Sequence, residues 1–166
     1  MADREGWEVR ELTRISTPPA LVWAIVSDIE RHPALAGSGE VLAVRVGGPL
    51  QVGATFEGDI KTGEVGSFVS RNVIGDATEP TRLAWVSYPP LDDDETEDHQ
   101  IEVHWSFELA PATDGGTDLR HSFIVPPPKL GANELEAFLE RTDRIATVRS
   151  GMVRTLSNVK ATAERA

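Results

Sequence analysis

The sequence predicts an α+β protein in which a seven-stranded, curved antiparallel sheet wraps around a long C-terminal helix, with two short helices after strand one. Three observations predict this architecture. Between Glu40 and Val125, short segments rich in Val, Ile, Phe, Trp and Thr alternate with Gly, Pro or Asp clusters, which is typical of an antiparallel meander. A helix-start sequence follows the first strand, and an apolar stripe at helical spacing occupies the C-terminal segment.

The N-terminal elements are predicted from local signals. The first strand spans Trp7–Ser16. Thr17, followed by two prolines, is a good helix start, because threonine can cap a helix and proline fits its first turn. The apolar segment Ala20–Val26 forms that helix, and Asp28 is expected to cap a second short helix ending near Leu35.

Six further strands are predicted, and the sixth shows the clearest period of two. Trp105 and Phe107 share its apolar face, while His104 lies on the polar face, so one face is buried and the other is wet. In the last strand His121 and Phe123 belong to the matching apolar face. The six segments are Val41–Val46, Ala54–Ile60, Phe68–Ile74, Leu83–Tyr88, Ile101–Leu109 and Leu119–Val125.

A long C-terminal helix is predicted to begin near Asn133, which forms a capping-box pattern with Glu136, and to end near Ala163. About 30 residues at roughly 1.5 Å rise span about 45 Å, so the helix should cross most of the sheet. A curved sheet around such a helix should enclose an elongated apolar cavity of ~300–1,000 Å³. We expect one domain over residues 1–166.

Composition excludes several classes of function. The chain has 27 acidic and 16 basic residues, a formal net charge of −11, which disfavours nucleic acid and anionic membranes as partners. Cysteine is absent, which excludes disulfides, thiolate catalysis and Cys-ligated metals. No histidine or carboxylate has metal-ligand spacing, so we expect no metal and no cofactor. The N-terminus lacks a signal-peptide pattern and no segment approaches the roughly 20 apolar residues of a membrane span, so a cytoplasmic protein is expected.

Two segments, Thr17–Trp23 and Ser27–Leu35, carry a resemblance to a known superfamily. On these residues the chain resembles the START-related helix-grip superfamily, also called SRPBCC. On Val103–Phe107 and Gly115–Arg120 it resembles the aromatic polyketide aromatase/cyclases within that superfamily. The resemblance implies a cavity that orients a reactive poly-β-ketone chain, so that one aldol closure followed by dehydration is favoured.

The sequence departs from the cyclases at several pocket positions. The tryptophan of the sixth strand is retained as Trp105, but the tryptophan before the helix proline is replaced by His32. The pocket tyrosine falls at Gly39, the pocket arginine at Asn72, and an aromatic residue of the seventh strand at His121. The polar reaction groups implied by the family are therefore largely replaced, whereas the ligand cavity remains expected.

Three residues are candidates for acid–base or polar roles. His121 is either a satisfied core histidine or a general acid or base, because imidazole titrates near neutral pH. Asn72 and Arg71 are adjacent, so only one of them can point inward in a regular strand.

Trp105 is either plain core or a cavity wall on which a planar ligand stacks. His32 and Leu35 are expected at the cavity mouth. The expected ligand-contacting residues are His32, Leu35, Phe56, Phe68, Trp85, Trp105, Phe123 and Phe138.

Three functions are compatible with the sequence. The first is a cyclase or dehydrase acting on a polyketide-like or aromatic molecule. The second is a non-catalytic carrier of a small hydrophobic molecule or lipid. The third is a protein-interaction module resembling co-chaperone relatives of the same fold, supported only by the acidic segment Asp92–Asp98, for which a solvated hairpin loop is the simpler interpretation. The edge strands of such a sheet also leave room for a homodimer.

Overall fold

The seven strands form one antiparallel sheet in the order β1-β7-β6-β5-β4-β3-β2. The structure is a computed structural model that describes residues 7–63, 66–88, 102–126 and 144–165. All seven predicted strands are confirmed, with ends displaced by a few residues. The strands are β1 Trp7–Ile15, β2 Val41–Val46, β3 Thr55–Thr62, β4 Gly66–Thr78, β5 Arg82–Tyr88, β6 Val103–Pro111 and β7 Thr117–Val125.

Short helices connect β1 to β2, as predicted. They are α1 (Pro19–Val26), a 3₁₀ helix (Ile29–Arg31) and α2 (His32–Leu35). The expected side-chain caps are absent from this segment: Pro18 precedes α1, and neither it nor Asp28, which precedes the 3₁₀ helix, makes a side-chain capping bond. Thr17 is instead buried, and its carbonyl accepts a hydrogen bond from the Thr117 hydroxyl at 2.7 Å.

The sheet is curved, and an irregularity in the long strand β4 contributes to its curvature. β4 has 13 residues and shifts register between Ile74 and Asp76 against β5. Such an irregularity bends a strand and increases its twist. The concave face is lined by alternating apolar residues such as Leu83, Phe107 and Leu119, all of them buried.

The C-terminal helix α3 covers one side of the concave face. It spans Arg144–Glu164, about 31 Å at the usual rise, and its predicted start at Asn133 lies outside the described residues. It packs chiefly on β1, with further contacts to α1 and β7. In the described part, Val148 and Met152 pack with Val9 at the β1 side, and Leu156 and Val159 belong to the main core.

The segment after α2 docks closely on α3. Asn158 of α3 donates to the Leu35 carbonyl at 3.0 Å, and the Thr155 hydroxyl accepts from the Gly37 amide at 2.9 Å. A Cβ atom on Gly37 would lie 2.2 Å from Arg154 Cβ and 2.5 Å from the Gly151 carbonyl oxygen. Glycine at position 37 is therefore what allows the two backbones to approach.

A partly buried ion pair fixes the other end of this segment. The Arg144 guanidinium donates to both carboxylate oxygens of Glu40, at 2.8 and 2.9 Å. The two side chains are only 20% and 17% exposed. Charge-assisted bidentate pairs of this kind are directional as well as strong, so the first turn of α3 is tied to the start of β2.

Candidate functional site

An aromatic cluster lies on the concave face of β5, β6 and β7. We define it as Trp85, Trp105, Phe107, His121 and Phe123. Trp85 pairs with Trp105 and Trp105 with Phe123 across the strands, while Phe107 pairs with His121. Because cross-strand neighbours face the same side, the period of two in each strand brings the five rings together.

Ring geometry shows a stacked series within the cluster. The Trp85 and Trp105 planes are 18° apart with centroids at 6.5 Å. Trp105 and His121 stack at 5.4 Å and 22°, and Phe107 and His121 stack at 4.1 Å and 7°. These flat surfaces are the kind on which planar molecules pack.

His121 is held in one orientation by a backbone contact. Its Nδ1 lies 2.9 Å from the Ser106 carbonyl oxygen, and because a carbonyl only accepts, Nδ1 carries the proton and Nε2 a lone pair. Burial lowers the pKa of His121 to about 4, with nearby His32 lowering it further and the hydrogen bond to Ser106 opposing the shift. At neutral pH the ring is an uncharged hydrogen-bond acceptor at Nε2.

His32 approaches the cluster from the opposite side. Its ring centroid lies 5.3 Å from that of Trp85 and 6.2 Å from that of Phe107. Its Nε2 donates to the Val26 carbonyl at 2.8 Å, and burial lowers its pKa. His32 was expected at the mouth of the cavity. Its half-buried ring instead points inward from α2 and packs on Trp85 and Phe107.

Asn72 and Arg71 face opposite sides of β4, as their alternation requires. Asn72 is 3% exposed on the concave face, and Arg71 is exposed on the convex face with its guanidinium 5.2 Å from the Tyr88 ring centroid. Arg71 is therefore removed from the candidate site, because its strand position points it to solvent. The Asn72 amide nitrogen donates to the Phe56 carbonyl at 3.2 Å and to the Ser70 carbonyl at 3.3 Å.

Asn72 and His121 do not form one constellation. Strands β5 and β6 lie between β4 and β7, about 14 Å of sheet at the usual strand spacing. Asn72 instead pairs in register with Phe56 of β3. Sequence reasoning could not see this separation, because it depends on the order of strands in the sheet.

The other predicted ligand contacts divide into three groups. Phe56 is buried on the concave face and its ring contacts Trp85 at 6.4 Å, and Phe68 lies half-buried on the same face. Leu35 is buried in the main core rather than at a mouth, because the short α2 presses it inward. Phe138 and the acidic segment Asp92–Asp98 lie outside the described residues.

A pocket of about 190 Å³ opens beside the cluster, between the α1–α2 turn and the β2–β3 loop. Asp28 and Glu30 line its rim, and Phe56, Ile74 and Leu50 contribute its apolar wall. This pocket is smaller than the elongated cavity of ~300–1,000 Å³ expected from the sequence. Phe56 belongs to both the pocket wall and the ring contacts that lead to Trp85.

Two contributors to the site were missed by the sequence prediction. Phe107 was assigned to the apolar face of its strand but not to the site, although it stacks on His121. Glu11 lies beside His121 in the β1–β7 register, and Arg149 of α3 holds its carboxylate at 2.7 Å. The period of two in β1 contains the Glu11 signal, but its pairing partner depends on the tertiary fold.

Comparison with solved structures identifies the architecture. The Zhui aromatase/cyclase from Streptomyces sp. R1128 superposes with a TM-score of 0.64 at 19% identity, covering 96% of this chain and 94% of that chain. The fold is the helix-grip fold of the polyketide aromatase/cyclases. The di-domain aromatase/cyclase StfQ of the steffimycin pathway matches with a TM-score of 0.62 at 15% identity, over 95% of this chain and 50% of that one. The resemblance expected from the sequence is thus confirmed at the level of fold.

The chain is also similar in structure to proteins solved by structural genomics. A structural-genomics protein from Nitrosomonas europaea matches with a TM-score of 0.64 at 16% identity, over 99% of this chain and 97% of that chain. No family model and no curated protein matches the sequence. Within the described ranges, no helix has the length and apolar character needed to span a membrane, and no three His, Asp or Glu side chains are grouped to hold a metal ion.

Proposed function

We propose that the protein binds a small, planar, hydrophobic molecule on the concave face of its sheet, with the pocket beside Phe56 as the point of entry. The observation that carries the proposal is the stacked series of rings from Trp85 through Trp105 to His121. A pocket near 190 Å³ accommodates one or two fused rings, since an apolar cavity of ~150 Å³ is enough for benzene.

The scarcity of charged residues on the described part of the concave face favours an uncharged ligand. Among the described strands, the concave positions carry one charged residue, Glu11, and it is already paired with Arg149. Arg71, one of the two residues considered for the inward position on β4, points to the convex side. A carboxylate or phosphate ligand would therefore find no counter-ion on the described part of this face, and burying it unpaired would be costly.

Cyclisation or dehydration of a polyketide-like molecule is the second candidate. The neutral Nε2 of His121, aimed away from its Ser106 contact, could accept a proton from a carbon between two carbonyls. Because its pKa is about 4, the resting ring is neutral near pH 7, so the only proton it can donate from Nε2 is the one that it has just taken from the substrate. Zhui and StfQ are aromatase/cyclases, which adds support by analogy of fold. A carrier that only shields its ligand needs none of this proton chemistry.

Ligand binding is tested by titrating the protein with 2-naphthol. Calorimetry gives the affinity, and the indole N–H resonances of the four tryptophans show where the ligand binds. The Trp85 and Trp105 signals should move, while Trp7 at the start of β1 should move less. Trp105→Ala should weaken binding several-fold, and the matched control Val69→Ala, on the convex face and 48% exposed, should leave it unchanged. Equal shifts at all four indoles, or no binding, would contradict the proposal.

Catalysis is tested separately with a poly-β-ketone substrate. If His121 is the base, His121→Phe should abolish turnover while the affinity for 2-fluoronaphthalene, an aromatic ligand without a hydrogen-bond donor, stays nearly intact, because phenylalanine preserves the stack on Phe107. Unchanged turnover in the variant would exclude His121 from that role. Binding without turnover in the wild-type protein would favour the carrier, and native mass spectrometry would then be used to find a co-purified small molecule.

A further inference from the structure

Three polar side chains on or beside the concave face share one property: their donors are used by the protein and their acceptors are free. They are His32, Asn72 and His121. His32 donates through Nε2 to the Val26 carbonyl, and His121 donates through Nδ1 to the Ser106 carbonyl. Asn72 donates through Nδ2 to the carbonyls of Phe56 and Ser70.

The direction of each hydrogen bond follows from its partner. A backbone carbonyl can only accept, so the facing nitrogen must carry hydrogen in all three cases. This assigns opposite tautomers to the two histidines, with lone pairs on Nδ1 of His32 and Nε2 of His121. It also orients the Asn72 amide, leaving Oδ1 as its acceptor. None of these three acceptor atoms has a hydrogen-bond partner among the residues that the structure describes.

The free acceptors differ from the fully enclosed polar atoms of the described residues. In the described part of the chain, the Ser122 hydroxyl is the one fully enclosed side-chain oxygen or nitrogen without a partner. The acceptors of His32, Asn72 and His121 do not belong to that class, although none of these three residues lines the pocket itself. Asn72 pairs with Phe56 and lies two residues before Ile74, and both of those residues line the pocket.

We infer that the ligand of this face is a hydrogen-bond donor, a hydroxylated or N–H-bearing aromatic molecule, rather than one that offers only carbonyl or ether oxygens. This inference rests on the proposed function and adds the chemistry of the ligand to it. A ketone oxygen placed against these lone pairs would be left without a donor, which costs free energy in a buried site. A phenolic hydroxyl or an enol can donate a hydrogen bond to any one of these lone pairs.

The test compares 2-naphthol with 2-fluoronaphthalene, which has nearly the same shape and no donor. Calorimetry gives the ratio of their affinities in the wild-type protein and in His32→Phe and His121→Phe, which keep a ring and lose the acceptor. The preference for 2-naphthol should fall by about 3- to 10-fold in at least one variant, the effect of one neutral hydrogen bond. Val69→Ala, on the convex face, should leave the ratio unchanged.

A ratio that is unchanged in both variants would overturn this inference while leaving aromatic binding intact. Failure of both ligands to bind would overturn the proposed function and this inference together. If a variant does not fold, the inference can still be tested on the wild-type protein. Long-range ¹H–¹⁵N NMR spectra of its imidazoles show which ring nitrogens carry a proton. They should show the proton on Nε2 of His32 and on Nδ1 of His121, and 2-naphthol should move an unprotonated nitrogen. The reverse tautomer at both rings, or no movement with bound 2-naphthol, would overturn the inference.

Discussion

The imidazole of His121 lies face to face with the ring of Phe107, with centroids 4.1 Å apart and planes 7° from parallel. The Ser106 carbonyl holds the imidazole in this position through Nδ1. Position and charge are linked here, because a ring stacked in apolar surroundings is stable only while it is neutral. The contact therefore connects the packing of the concave face to its response to pH.

We predict that acid destabilises the protein through His121. The folded-state pKa is about 4, below the usual value near 6.5, so the unfolded chain binds the proton first as pH falls. The resulting stabilisation is complete above about pH 6.5 and is lost between that pH and about 4, to the extent of roughly 3 kcal/mol. Burial lowers the pKa of His32 as well, which acts in the same direction.

Urea unfolding at several pH values between 4 and 7 measures this effect. His121→Phe should flatten the dependence of the unfolding free energy on pH in that window, since it removes one titrating group. An equal slope in the wild-type protein and the variant would show that His121 does not control acid stability.

Gly37→Ala is expected to destabilise the protein by about 1–3 kcal/mol, because the new methyl group overlaps the backbone of α3. Its Cβ would lie 2.5 Å from the Gly151 carbonyl oxygen. The matched control is Gly47→Ala, whose Cβ meets nothing within 4 Å. Thermal unfolding gives the melting temperatures of the two variants. Equal values would mean that the backbone at Gly37 does not pack closely against α3.

Glu40→Gln should cost about 1.5–3 kcal/mol, because it removes a charge-assisted pair with Arg144 that is largely shielded from water. Glu57→Gln is the surface comparison. Glu57 is 58% exposed and shares Arg45 with Asp59, so its loss should cost less than about 1 kcal/mol. Chemical unfolding in low and high salt separates the two, and a larger cost at Glu57 would contradict the prediction.

Asn72→Leu should reduce both stability and 2-naphthol affinity, whereas the neighbouring Arg71→Ala should leave affinity unchanged. The asparagine amide satisfies the carbonyls of Phe56 and Ser70, and orphaning such groups costs about 1–3 kcal/mol. Arg71 contacts the Tyr88 ring on the opposite face. Calorimetric titration of both variants tests the pair, and loss of affinity in Arg71→Ala alone would reverse the assignment of faces.

The sequence by itself determined the strands and most of the face assignments. Apolar alternation around Trp105 and His121 predicted their shared side of the sheet, because the side-chain period of a strand is local and strict. The helix-start pattern after β1 likewise predicted α1. The capping bonds expected at Thr17 and Asp28 do not form, and Pro18 rather than Thr17 stands at the N-cap position of α1.

Only the tertiary structure decided which side chains meet. Register between distant strands stacked Phe107 on His121 and placed Glu11 beside it, and strand order separated Asn72 from His121. The turn into α2 brought His32 onto Trp85, a contact between residues 53 positions apart. Hydrogen bonds to backbone carbonyls then set the tautomers, and with them the acceptor character of the site. Such relationships depend on long-range packing, which a pattern of neighbouring residues does not contain.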